Sequence, residues 1–256
     1  MADPDPRAAS PSPVAGLATT TAELLMAAAA FFVALVLVIG VPGVQRAVFG
    51  LEEALFGRPA LAPEQVRQIE AIALMPLATL LAAILYRWLG RNVDRVAAAP
   101  EPARGPAASL LTSTAWTVLG VLLAVLGSAA LALLMQLLGA PVAEQTLVLE
   151  ITGGDDLQRS ELAMLACSAL LLAPLAEELF FRRQLFVRIR RASALQAYLA
   201  SSLLFAAFHN NLQGFIVYTW LGVVFAATYA RTGRIGAAMA AHFGNNAVTL
   251  LILLTR

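Results

Sequence analysis

Seven apolar stretches limit what this chain can fold into more than any other feature. They run from Thr21 to Val41, Ala71 to Tyr86, Leu110 to Leu138, Leu162 to Phe181, Ala194 to Phe208, Leu212 to Ala230 and Ile235 to Leu254. A helix crosses a bilayer core with about 20 apolar residues. Lipid offers no water to a backbone, so such segments must be helices that bond their own N–H and C=O groups. We therefore expect an all-α, polytopic transmembrane helix bundle of about seven spans, or eight if the long third stretch is broken near Gly127. With 60% hydrophobic and only 13% charged residues, and a mean hydropathy of +0.78, the chain is far from the composition of a soluble domain.

Other function classes fall away on composition. The formal net charge is +1 and the basic residues are scattered at span boundaries, which is no footprint for nucleic acid. A single cysteine, Cys167, excludes an internal disulfide and a thiolate metal centre. All 17 basic residues are arginine and alanine is abundant, the bias of a GC-rich bacterial coding sequence. Residues 1–20 are rich in Pro, Ala and Ser and lack a basic start, so they read as a disordered tail ahead of a retained anchor and not as a cleaved signal.

Connector charges orient the bundle. Arg87, Arg91, Arg95 and Arg104 cluster after the second stretch, Arg182, Arg183, Arg188, Arg190 and Arg191 at the end of the fourth, and Arg231 and Arg234 before the last. The connector from Pro141 to Glu161 instead carries Glu144, Glu150, Asp155, Asp156 and Glu161 against Arg159 alone. By the positive-inside rule the arginine clusters face the cytoplasm and the acidic connector faces out. This places the N-terminus inside and the chain as a multi-pass protein of a bacterial plasma membrane, with residues 45–70 an external, interfacial connector.

Six polar residues in the last four stretches carry the chemistry. Glu177, Glu178 and Arg182 form EExxxR; Phe205 and His209 form FxxxH; His242 and Asn246 form HxxxN. Residues four apart share a helix face, so Glu178 lies over Arg182 as an ion pair, and Asn246 lies one turn beyond His242. Glu177 points about 100° away from Glu178, without a local countercharge and in apolar surroundings, as suits a general base. Each motif alone is ordinary: acids and arginines snorkel at membrane boundaries, and His or Asn glues helices together. Depth lets them meet. If the fourth and fifth helices turn near Ala192 to Ala194, Glu178 and His209 are level, about 23 Å from the turn at 1.5 Å per residue, provided the arginine-rich end of the fourth stretch stays helical.

The ordered triple on successive apolar segments resembles the CAAX-protease and bacteriocin-processing family of intramembrane proteases (CPBP, also Abi), over about residues 162–254. The resemblance implies that 162–254 is the catalytic transmembrane core and 21–161 the variable helices and loops. It further implies an endopeptidase acting near the cytoplasmic side of the membrane, on a peptide or membrane-protein substrate. Glu177 and His209 would activate a water, His242 and Asn246 would hold the oxyanion, and Glu178 with Arg182 would support the site. Metal-free glutamate catalysis is the expectation; a divalent metal, zinc for instance, on Glu177, His209 and His242 is the alternative. Two rival functions are a non-proteolytic immunity or scaffold protein, against which the intact motifs argue, and an ion-coupled transporter, whose internal repeats are not seen here.

The arginine bias makes a topological prediction. A reporter fused after Arg191 or Arg234 is expected to be cytoplasmic, and one inserted within Thr152 to Gln158 external. The opposite result at two of these sites would overturn the orientation.

Overall fold

The computed structural model describes residues 13–44, 46–47, 50, 54, 63–96, 107–142 and 159–255. Side chains of residues 63–73, 96 and 159–162 are not described. Within this range the protein is an all-α membrane helix bundle. Its long helices are α1 (Pro13–Gly40), α2 (Pro63–Val96), α3 (Leu110–Leu137), α4 (residues 159–190), α5 (Ala194–Phe208), α6 (Phe215–Thr232) and α7 (Ile235–Leu254). Four of them, over Val14–Gly40, Leu110–Leu137, Ala163–Arg190 and Ile235–Leu254, are long and apolar enough to cross a membrane.

Two expectations change. Helix α1 begins at Pro13, inside the stretch read as a disordered tail; proline suits a first helical position, where its missing N–H is not needed. Residues 1–12 lie outside the described range, as does most of the acidic connector and of the 45–70 connector. Helix α3 is continuous past Gly127. That glycine is small because the Trp220 indole of α6 packs on it: a Cβ there would come within 2.2 Å of the ring nitrogen. The same nitrogen donates to the Leu123 carbonyl at 2.9 Å, tying α6 to α3, so no break and no eighth span arises here.

Helices pair through small residues. On α1, Thr20, Glu23, Ala27, Ala30, Ala34 and Val38 are buried, an a/d-type seam at spacings of three and four. It meets Leu74, Ala78, Ala82 and Tyr86 of α2. Alanines on both sides let the backbones approach, which matters in lipid, where dispersion contacts and not water exclusion drive association. The opposite side of α1 exposes Leu25, Phe32, Val36 and Ile39, as a face toward acyl chains requires. Helix α6 ends at Gly233, whose φ of 65° is a left-handed conformation that glycine adopts without a Cβ penalty.

Helix α4 is irregular. Ser168–Leu172 and Glu178–Phe186 are π-helical, with α-helical Ala173–Glu177 between them and Val187–Arg190 after. The wider turn is rare and gathers at functional sites. The arginine-rich end does remain helical to Arg190, turns through residues 191–193, and resumes as α5 with Ser193 as N-cap, its hydroxyl accepting from the Gln196 N–H.

A buried ionic latch joins this end to the first two helices. Glu23 of α1 accepts from the Tyr86 hydroxyl at 2.6 Å and from Arg188 Nε at 2.8 Å. The Arg188 guanidinium also grips Asp94 of α2 through two bonds of 2.9 and 3.2 Å. Arg191 adds a contact to Asp94 at 3.3 Å. Gly90 makes room, since a Cβ there would lie 2.7 Å from Arg188 Nη1.

Burial pushes the Asp94 carboxyl up, but hydrogen bonds from Arg188 and Arg191 outweigh it and hold it below the ordinary carboxylate range. Its contribution to stability is therefore present above the unfolded value, near 4, and is lost as pH falls through the lower folded value. Thermal unfolding of detergent-solubilised protein should show a midpoint that declines below about pH 4, with a shallower decline in Asp94→Asn. Removing one partner of a buried pair costs about 3–5 kcal/mol, so Arg188→Ala should lower the midpoint far more than Arg183→Ala.

Candidate active site

The three motifs converge where α4, α5, α6 and α7 meet. Glu178 and Arg182 are both fully buried, with Arg182 Nε 3.3 Å from Glu178 Oε2. This is an ion pair by distance but not an aligned hydrogen bond, and Glu178 Oε2 with Arg182 Nε and Nη1 are left without one. Arg182 instead donates through Nη2 to the Gly222 carbonyl of α6 at 3.1 Å. Its guanidinium lies over the rings of Phe205, Phe225 and Phe181 at 4.5, 5.6 and 5.7 Å, a weakly hydrated planar cation well suited to an aromatic cage. Gly222 also lets α5 pack closely on α6, because a Cβ there would sit 2.8 Å from Ser202 Cα of α5.

Glu178 reaches further than its arginine. Its Oε1 lies 3.1 Å from His242 Nδ1 on α7, so one carboxylate holds both Arg182 and a ring 64 residues later in the chain. His242 is 3% exposed and stacks on Phe225 with centroids 4.5 Å apart. With Nδ1 committed to Glu178, the ring presents Nε2 to the remaining space. In the neutral ring that nitrogen is an acceptor; in the imidazolium it is a donor.

His209 caps α5 and is oriented from its own helix. Nδ1 is 2.8 Å from the Phe205 carbonyl; a carbonyl only accepts, so Nδ1 carries the proton and Nε2 keeps a lone pair. The ring stacks on Tyr218 with centroids 4.1 Å apart. The Phe205 ring lies between the histidines, 4.6 Å from His209 and 5.9 Å from His242. Phenylalanine in FxxxH thus sets the ring through its carbonyl and spaces the two imidazoles through its side chain.

Glu177 is the acid left over. Its Oε2 is buried and has no hydrogen-bond partner, while its charge is felt by both His209 and Arg182. The two adjacent acids thus have different surroundings, as their different helix faces require: Glu178 is consumed by two partners and Glu177 is not. Asn246 sits one turn beyond His242 and donates Nδ2 to the Ala169 carbonyl of α4 at 2.8 Å. Its Oδ1 accepts from Asn245 Nδ2 at 3.2 Å. Among the described residues no group of three His, Cys, Asp or Glu side chains is gathered to hold a metal ion.

Sequence reasoning passed over four participants. Asn245, Gly222 and Ala169 carry no signal at a fixed spacing, because each acts through a contact between helices. Glu23 did carry one: an acid inside an apolar span calls for a partner, and Arg188 supplies it.

Residues 159–248 match the model of a family described as type II CAAX prenyl endopeptidase, Rce1-like. A relative from Bacillus subtilis (strain 168), named "Putative membrane peptidase YdiL", is 33% identical over 85 residues, which is 33% of this chain and 35% of the relative. The match spans about a third of that relative's length. No solved structure matches the chain. The family match falls on α4 to α7, where the polar residues meet.

The two acids should separate in stability. Glu178→Gln strands Arg182 and loosens His242, and should destabilise the protein by about 3–5 kcal/mol. Glu177→Gln replaces a carboxylate whose Oε2 has no hydrogen-bond partner and should stay within ~1 kcal/mol of the wild type. Thermal denaturation in detergent checks the difference, and equal losses would refute it.

Proposed function

From the match of residues 159–248 to the type II CAAX prenyl endopeptidase model and the likeness to a membrane peptidase, we propose that the chain is an intramembrane endopeptidase of the CAAX-protease (CPBP) family in which Glu177 and His209 activate a water against a peptide carbonyl. The observation that carries this reading is the contrast between neighbouring carboxylates. Glu178 is bound on two sides, whereas Glu177 keeps a buried oxygen without a hydrogen-bond partner and acts electrostatically on His209, whose ring is oriented through Nδ1 by the Phe205 carbonyl. A base for water hydrolysis needs both properties.

In the proposed reaction Glu177, assisted by His209 Nε2, takes a proton from the water as its oxygen bonds to the carbonyl carbon. The carbonyl π electrons move onto oxygen, and the tetrahedral oxyanion is held by the His242 Nε2–H and by the N–H of Asn246 not used by Ala169. Collapse breaks the C–N bond, and the proton held by Glu177 passes to the leaving nitrogen. For His242 to donate from Nε2 while Nδ1 faces Glu178, the ring must be imidazolium. The Glu178 carboxylate, 3.1 Å from Nδ1, is the acceptor that holds the ring in this orientation. Donors fixed in advance within a dry site act mainly on the developing charge of the transition state.

The substrate is a peptide or protein segment presented within the membrane, and the site lies toward the cytoplasmic half of a bacterial plasma membrane, since α4 leads from it directly into the arginine-rich turn. The immunity, scaffold and transporter readings gain no specific observation from the structure.

Comparison of membrane peptidomes from cells expressing wild-type or Glu177→Gln protein tests the proposal. Peptides cut in the wild type should disappear with Glu177→Gln, and the purified variant should lose about 10²–10⁴-fold in turnover on a peptide so identified. Near-normal cleavage by Glu177→Gln would overturn the assignment of the base.

A further inference from the structure

We propose that Pro174 and Asn245 are positioning residues for Asn246, acting through the backbone carbonyl of Ala169 and through the amide oxygen of Asn246 itself. The catalytic part of this inference rests on the reaction given above; the structural part does not.

The carbonyl of Ala169 would accept from residue 173 in an α-helix or from residue 174 in a π-helix. Neither is to hand. The N–H of Ala173 is turned to Ser168, five residues back, by the first π segment. Residue 174 is a buried proline, which has no N–H. A carbonyl left without a partner in apolar surroundings is costly, and the Asn246 amide of α7 meets it at 2.8 Å. Pro174 therefore creates an acceptor on α4 that only a side chain from another helix can satisfy.

Asn245 completes the arrangement. It is 6% exposed and donates Nδ2 to Asn246 Oδ1 at 3.2 Å. An asparagine amide has one acceptor oxygen and two N–H donors. With the oxygen taken by Asn245 and one N–H taken by Ala169, a single N–H remains, on the same helix face as His242. Without these contacts the amide could rotate by half a turn and exchange its oxygen for its nitrogen. That would bring an acceptor to the place where a developing oxyanion needs a donor.

Two measurements on the full chain in detergent test this. In the first, unfolding midpoints are compared for Asn246→Leu in the wild-type and Pro174→Ala backgrounds. Leucine keeps the branching of asparagine without its hydrogen-bonding atoms, and its greater bulk is common to the two backgrounds, so the difference between the two drops reports the hydrogen bond. A drop of roughly 2–4 °C is expected in the wild type. A drop less than half as large is expected with Pro174→Ala, because residue 174 then brings an N–H to Ala169. Equal drops in the two backgrounds, or none in the wild type, would overturn the pairing; if Pro174→Ala does not fold, the wild-type arm decides alone.

In the second, Asn245→Leu is assayed well below its midpoint on a peptide cleaved by the wild type. It should lose about tenfold in kcat with KM unchanged, the pattern of a group that acts on the transition state. Unchanged kcat, or a change in KM alone, would overturn the positioning role. Absence of proteolysis in the wild type would instead refute the peptidase reading, and the midpoints would still decide the contact between Asn246 and Ala169.

Discussion

The Glu178 carboxylate ties the C-terminal half of this protein together. It faces Arg182 on its own helix and His242 on α7, while Arg182 reaches α6 through the Gly222 carbonyl. Burying a charge in a membrane bundle is expensive, and the attraction between partners offsets that cost only when geometry and further contacts are good. Here the guanidinium is wrapped by Phe181, Phe205 and Phe225, which replace part of its lost hydration, and its charge is matched within 4 Å. The network thus sets the mutual position of three helices and fixes which nitrogen of His242 faces the site. Fold and site geometry depend on one group, and its two partners are why the proposed base is Glu177 and not Glu178.

Helix α4 supplies most of this machinery, and it does so by being irregular. Two π segments flank the short α-helical piece that carries Pro174 and Glu177. The first turns the Ala173 N–H away from Ala169, and Pro174 removes the alternative donor. In water such a carbonyl would be solvated at little cost; within a membrane bundle it must find protein. The bond from Asn246 is therefore a requirement of the backbone as well as a feature of the site. The exchange is reciprocal: α7 satisfies α4, and α4 orients the side chain that α7 contributes.

The N-terminal helices lie outside the matched segment yet hold it from one side. Glu23, Tyr86 and Asp94 close around Arg188 at the C-terminal end of α4. Thr20 donates to Gln196 of α5 at 2.7 Å. These contacts lie just after the second π segment and on either side of the turn from α4 to α5. They set the level at which Glu177 and His209 meet, since any slip of α4 along α1 and α2 would break the latch. Part of the arginine excess that orients the chain is thus consumed by internal ion pairs, so the topological signal and the structural latch share residues.

Much of this was legible from the residues alone, wherever the physics is local. Apolar runs in a medium without water leave only helices, so the all-α bundle followed from composition and length. Spacings of four place Glu178 over Arg182, Phe205 beneath His209 and Asn246 above His242 on any helix, and the depth argument brought Glu178 level with His209. The early start of α1 and the unbroken α3 were not legible, because the apolar run of α1 thins before Pro13 and Gly127 is explained only by Trp220 on another helix. Tertiary structure alone decided that Glu178 also holds His242, that Asn246 serves a carbonyl orphaned by Pro174, and that Glu23 meets Arg188. Each joins residues far apart in the chain, where helix rotation and register choose the partner. Helical periodicity sets which face a side chain occupies, but only packing sets what that face meets.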